Sequence, residues 1–219
     1  MVLRERARKA EDKELRRRVI LDAARALFAE RGLSGFAMAE VAARAGLVKG
    51  TLYLYWPTRE ELLLSVLEEL LWGWMAELDA RLDDLRAPAG PRKLAAAVCE
   101  SLGAYEPLGR LLAVLQTVLE HNVSRESVVR FKSTLLERAA VTGARLERHL
   151  PQLGDGEGVR VLLHLNAILV GLQQMADSAP VVRELLSVAP LSALRVDLPG
   201  ELRAALTTYF LGIQGSQGR

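Results

Sequence analysis

Cysteine is almost missing from this chain. Cys99 is the single one in 219 residues, so no disulfide framework can close within a molecule. It is read instead as a small apolar residue of a core. Histidine is nearly as scarce, at three residues. No Cys/His cluster and no Glu-x-x-His pair occurs, so the usual metal-ligand spacings are absent and neither metal nor cofactor is expected. No nucleophile–base pair stands out, which argues against an enzyme and for catalytic residues: none. Aromatics make up only 5%, and runs of β-branched residues are few, so no strand is expected. The most apolar window, Val161 to Leu172, contains His164 and Asn166 and is too short and polar to span a bilayer. The first residues are charged rather than apolar, so no secretion signal and no membrane is expected, and the compartment is the cytoplasm. Without secretion, the sequon Asn122-Val123-Ser124 is coincidental. The glycine-rich turn Pro151 to Gly158 lacks a preceding strand and a Gly-Lys-Ser/Thr end, so it is no phosphate loop.

What is present is helix-forming. Alanine, leucine, arginine and glutamate dominate, and the sequence predicts an all-α chain. Its charge is uneven. Residues 1–60 carry 13 Lys/Arg against 8 Asp/Glu, whereas residues 61–219 carry 16 against 19. A basic end joined to a near-neutral body is what a nucleic-acid-binding module attached to a larger domain would show. Residues 1–14 mix charges densely. They read as a frayed arm reaching phosphates or as a solvated helix extension.

Along the chain, a first helix is predicted over about Leu15 to Arg31, with Ile20, Ala23, Ala24, Leu27 and Phe28 on one stripe. Two very short helices follow, Met38 to Arg44 and about Lys49 to Tyr55. Ala45-Gly46 turns between them and Trp56-Pro57 ends the second. Thr58 with Glu61 has capping-box spacing and opens a long helix to about Leu85. Ala87 to Pro91 breaks it. Further helices are predicted at Arg92 to Ala104, Pro107 to His121, Arg125 to Leu150 and Val159 to Ala176. A short piece follows around Val181 to Ser187, then a last helix from Leu198. The two short helices are under three turns each and cannot stand alone. A helix–turn–helix of this size in a basic region suggests a DNA-reading head.

The run Ala45 to Leu63, AGLVKGTLYLYWPTREELL, together with Ile20, Ala23, Leu27, Phe28, Gly32, Val41 and Ala42, resembles the TetR-type transcriptional repressors. The resemblance covers about Arg18 to Val66. It implies a three-helix N-terminal helix-turn-helix DNA-binding domain followed by a larger helical ligand-binding and dimerisation domain. The division expected is 1–57 and 58–219, with the helix-turn-helix at about 38–55 and the long helix 58–85 linking the two. The function implied is a ligand-responsive repressor that binds double-stranded DNA at a palindromic operator as a homodimer. The alternative is an all-helical small-molecule sensor or carrier whose operator binding is weak or lost.

On the second short helix, Lys49 can reach a guanine edge or a phosphate, and Gly50 lets backbone approach DNA closely. Thr51 and Tyr53 can meet a thymine methyl or a phosphate oxygen. The resemblance assigns these four to base or phosphate contact and adds Tyr55 and Arg59 as phosphate contacts. Phe36, Ala37, Val48 and Leu54 depart from the family pattern, which carries polar caps or contacts there; two missing caps cost ~1 kcal/mol each.

The resemblance also implies a cavity beside the long helix for a small apolar or amphipathic ligand. The candidate lining is Trp74 and Leu78 on that helix, then Tyr105, Leu112 and His121, then Phe131, Leu135, Ile168 and Met175. For the dimer, the last two long helices carry more apolar surface than one domain needs. Leu162, Leu165, Leu169 and Leu172 on one, and Leu202, Leu206, Tyr209 and Phe210 on the other, are the expected interface, forming a four-helix bundle with their twofold copies.

Overall fold

The computed structural model describes residues 2–115 and 121–215, with side chains described from residue 11 onward. Ten α-helices and two 3-10 turns make up the described elements, and no strand occurs among them. The helices are α1 (Val2–Arg31), α2 (Met38–Arg44), α3 (Lys49–Tyr53), α4 (Arg59–Asp84) and α5 (Pro91–Leu102). After them come α6 (Pro107–Val114), α7 (Arg125–His149), α8 (Gly158–Ala176), α9 (Pro180–Leu185) and α10 (Leu198–Gly215). The expected helices from α2 onward start within a few residues of these, whereas α1, expected from about Leu15, starts at Val2. Residues 116–120 of the helix expected at Pro107 to His121 lie outside the described residues. The chain forms two compact units, residues 1–69 with 114–128, and residues 70–113 with 129–219.

In the first unit α1 is continuous from Val2. Its first 14 residues contain neither proline nor glycine, so nothing in them stops a helix. The expected stripe is the floor of the unit: Ile20, Ala24, Leu27 and Phe28 are buried, with Val41, Ala42 and Leu52 packed among the core. Gly46 has φ 66°, a left-handed turn that glycine adopts without Cβ strain. The α2 end is tied by Leu47 N–H donating to Ala42 O at 2.9 Å. Trp56 is buried, and its Nε1–H donates to Ser65 Oγ at 2.8 Å. Ser65 donates in turn to Glu61 O at 3.2 Å, so the residues after α3 are pinned to the first turns of α4.

Thr58 caps the start of α4: its Oγ1 accepts from Glu61 N–H at 3.1 Å. The Glu61 carboxylate accepts from Ser124 N–H and from Ser127 Oγ–H, both at 2.7 Å. Thr58 also donates to Asn122 O at 3.2 Å. The turn before α7 thereby joins the first unit.

In the second unit α10 packs on α5 and α8. Leu94, Val98, Leu165, Leu169, Leu202, Leu206 and Phe210 are buried there. Trp74 Nε1–H donates to Ser101 Oγ at 2.9 Å, and Ser101 donates to Val98 O at 2.8 Å, so both buried polar groups on this contact are satisfied. Backbones of α7 and α8 meet directly. A Cβ on Gly158 would stand 2.1 Å from Gly143 O, so no larger residue fits at either position. Cys99 is half-buried, and burial pushes its thiol pKa up. It is a packing residue in thiol form, not a reactive thiolate.

The residues expected at the ligand site and at the dimer face divide between core and surface. Trp74, Leu78 and Phe131 are buried side chains of the second unit's core, and Met175 is exposed. Tyr105, Leu112, Leu135 and Ile168 are half-buried, and His121 is exposed and belongs to the first unit. Five of the eight interface candidates, Leu165, Leu169, Leu202, Leu206 and Phe210, are buried inside one protomer. Leu162, Leu172 and Tyr209 are half-buried. On α8 and α10 the strongest apolar stripe is the one the protomer's own core takes.

Candidate nucleic-acid interface

The shortest helix of the first unit is its most outward-facing one. In α3, Leu52 is fully buried and acts as the single anchor, so 3.6-residue periodicity turns the rest of the five-residue helix outward. Lys49 and Gly50 are exposed and Thr51 is half-buried. Tyr53 is 43% exposed, too open for a core residue. Lys49 Nζ lies 5.8 Å from the Tyr53 ring centroid, a cation–π distance that gathers a charge and a phenol on one face. No atom would meet a Cβ on Gly50 within 4 Å. Its lack of a side chain therefore serves no packing need inside the protein.

Tyr55 is half-buried and stacks on Trp56, with centroids 5.8 Å apart. Two α1 cations sit over this pair: Lys13 Nζ lies 5.9 Å from the Tyr55 ring and the Arg17 guanidinium 5.5 Å from Trp56. Neither cation was picked out from the sequence, where they fall more than twenty residues before the helix-turn-helix. Only the fold of α1 over residues 55–56 brings them in. Arg59 is half-buried and its Nη2 lies 2.8 Å from the Glu60 carboxylate. Its charge is thus already partly matched within the chain.

Two further cations are spent on structure. Arg44 makes a bidentate pair with Glu30, both contacts at 2.7 Å. Arg31 pairs with Glu40. These ties hold α2 against α1, and the Arg44 hydrogen bond lowers the Glu30 pKa. Neither α2 nor α3 has a side-chain cap; Ala37 and Val48 occupy the cap positions in extended backbone. Phe36 is buried instead of polar. Val48 and Leu54, at the two ends of α3, are 74% and 84% exposed. Two bare aliphatic side chains flanking a lysine and a tyrosine have no core to fill. They suit thymine methyl groups in a groove about 12 Å wide.

The second unit holds a cavity of about 350 Å³ between α4 and α7. Met75, Ala76 and Asp79 line it from α4, and Thr134, Glu137, Arg138, Val141 and Thr142 from α7. None of the nine expected lining residues is among them. The expected Trp74–Leu78 and Phe131–Leu135 pairs lie one helical position from Met75–Asp79 and three from Thr134–Arg138. A second groove of about 380 Å³ follows α8 and includes Met175 with Arg183 and Arg195. Among the described residues no group of three or more His, Cys, Asp or Glu could hold a metal.

Comparison with known proteins agrees with this arrangement. Residues 20–66 match the family model for bacterial regulatory proteins of the tetR family, and residues 68–217 match the tetracyclin repressor-like C-terminal domain. The chain is 31% identical over 113 residues to the HTH-type transcriptional repressor KstR2 of Rhodococcus jostii, covering 51% of this chain and 53% of that one. It is 29% identical over 99 residues to the HTH-type transcriptional regulator RutR of Escherichia coli, covering 45% and 47%. The chain thus spans about half the length of the curated relatives it matches. A solved structure of a possible TetR family transcriptional regulator from Streptomyces coelicolor superposes with a TM-score of 0.58 at 19% identity, over 92% of this chain and all of that one. Since the two family models together cover most of the sequence, the chain belongs to the TetR family of bacterial regulatory proteins.

Proposed function

We propose that the protein is a ligand-responsive transcriptional repressor that binds a palindromic DNA operator as a homodimer in the bacterial cytoplasm. One observation carries this reading: α3 is held by a single buried residue, Leu52, while Lys49, Gly50 and Tyr53 stand in solvent. A core helix would not leave a lysine, a bare glycine and a tyrosine together on one open face. Lys49 supplies phosphate or guanine contact, Gly50 close backbone approach, and Thr51 and Tyr53 contacts to phosphate or a thymine methyl. Tyr55 with its α1 cations adds phosphate contact, and Arg59 adds it after exchanging Glu60 for a phosphate.

Two-fold symmetry in the operator calls for a two-fold protein. Support comes from α8, which at 19 residues is apolar and long enough to cross a bilayer by length and composition alone. Its Val161, Leu165 and Leu169 are buried in the protomer, but Leu163 and Met175 are 62% and 61% exposed. Ala167 and Gly171 lie between them at four-residue spacing, and Leu211 of α10 is also exposed. A second copy covering this face accounts for its apolar character in a chain that also carries a DNA-reading module. The ligand site is the α4–α7 cavity, where an occupant favours one conformer over another and so shifts operator affinity.

The test is operator binding by fluorescence anisotropy on the sequence selected from a random duplex pool. Strong salt dependence on one sequence is expected, with Tyr53→Ala and Lys49→Ala each weakening it. Weak, sequence-blind binding at low salt alone would favour instead a small-molecule sensor or carrier, a reading supported by the uncapped α2 and α3.

A further inference from the structure

A single exposed leucine is ordinary on a protein surface. Leu54 stands apart in degree and in place. Among the described large apolar residues it is the most exposed, at 84%, and Val48, at the other end of the same five-residue helix, follows at 74%. Leu54 continues α3 with φ −73° and ψ −22°, so the helical period runs on through it. At 3.6 residues per turn, the positions two before and two after Leu52 point about 160° away from it. Those positions are Gly50 and Leu54.

Leu52 is fully buried, so Gly50 and Leu54 share the outermost line of α3, about 6 Å apart along its axis. A Cβ on Gly50 would meet nothing within 4 Å, which leaves the first turn open to close approach. Leu54 is the side chain that stands forward one turn later. Lys49 and Tyr53, 5.8 Å apart from ammonium to ring centroid, lie to one side of that line, and Thr51 lies to the other. The reading helix thus presents polar groups at its flanks and an aliphatic group at its front.

A leucine side chain carries no hydrogen-bonding group, so it cannot read the donors and acceptors on a base-pair edge. The apolar feature on those edges in the major groove is the thymine C5-methyl. A leucine pressed on a cytosine amino group, or on guanine O6 and N7, would strip them of water and return no bond. Attraction to one base and a desolvation cost at the others act in the same direction.

We propose that Leu54 is a base-reading residue: its isobutyl group packs on one thymine C5-methyl in each operator half-site and rejects a G·C or C·G pair there. The assignment rests on the operator-binding reading above and deepens it, naming a base that the operator carries.

The probe is the operator selected from a random duplex pool, with each thymine of the half-site replaced in turn by deoxyuridine. That exchange deletes the methyl and leaves the hydrogen-bonding edge intact. Fluorescence anisotropy with the full chain at fixed salt is expected to show one position where uracil weakens binding about fourfold per half-site, the worth of one buried methyl group. Leu54→Ala is expected to weaken binding to the thymine duplex by at least that factor and to bind the thymine and uracil duplexes equally at that position. Its melting temperature should match the parent's, because the side chain is almost wholly in solvent. Leu54→Met, which keeps an apolar tip, should retain part of the thymine preference. Three results overturn the proposal while operator binding stands: no uracil-sensitive position, a uracil effect of unchanged size in Leu54→Ala, or a Leu54→Ala loss that is uniform across unrelated sequences. A pool that yields no preferred duplex overturns the operator reading itself, and the assignment with it.

Discussion

Glu61 offers the sharpest test of how the reading head is held. Its carboxylate accepts from Ser124 N–H and Ser127 Oγ–H, each at 2.7 Å, linking the first turn of α4 to a turn more than sixty residues away. Hydrogen bonds to a charged group contribute ~1.5–3 kcal/mol each when desolvated. Ser127 is buried, but Ser124 is exposed and Glu61 half-buried, so solvent screening lowers the second bond to less than half. Glu61→Ala should then cost ~2–3 kcal/mol, read as a lower urea midpoint with unchanged slope. Ser127→Ala should cost ~1–2 kcal/mol, and the double variant should cost less than the sum by ~1 kcal/mol, the coupling expected for partners in contact. Loop residues 121–124 should gain hydrogen-exchange rates in either variant, because they lose their tie to α4. If the two single effects add to within ~0.3 kcal/mol, the carboxylate is not what secures this turn.

Lys49→Ala should flatten the slope of log affinity against log salt by about one, as loss of one phosphate contact requires. Val48→Ser should stabilise the first unit by ~1 kcal/mol in thermal melts, because Val48 already has the extended backbone of an N-cap and lacks only the oxygen. Leu163→Arg should convert dimer to monomer by light scattering with helicity intact, whereas Leu206→Arg should unfold the chain, since Leu206 is fully buried in the protomer. Glu30→Gln should lower stability at neutral pH and not at acid pH. The Glu30 carboxyl is depressed below 4.5 chiefly by its hydrogen bond from Arg44, so its contribution is present above that value and lost as pH falls through the lower folded one. A melting-temperature gap between variant and parent that persists at pH ~2 would refute that role of the pair.

Much of the reading head was legible because its determinants are local. Gly46 marks a left-handed turn, Pro57 stops a helix, and Ile20, Ala24, Leu27 and Phe28 repeat at the helical period. Lys49, Gly50 and Tyr53 sit outward as their neighbour Leu52 required. Arg59 was legible as a position and not as a state, since its partner Glu60 became visible only with side chains placed. On the long helices the residues expected at a ligand and at a second copy divide between core and surface. On α4, Trp74 and Leu78 form the more apolar ladder, so they went to the core and left Met75 and Asp79 at the cavity. On α8 and α10 the best-spaced leucines went to the protomer in the same way, and Leu163, Met175 and Leu211 were left outside.

Sequence alone determined the all-helical class, the turns at Gly46 and Pro57 and the outward helix of the reading head, because propensity, turn chemistry and periodicity act over a few residues. Tertiary structure decided which of two adjacent apolar faces each long helix buried. It also decided that Ser124 and Ser127 would bind Glu61 and that Lys13 and Arg17 would lie over Tyr55 and Trp56. Those outcomes depend on how separate helices compete for contact, and no local pattern records that competition.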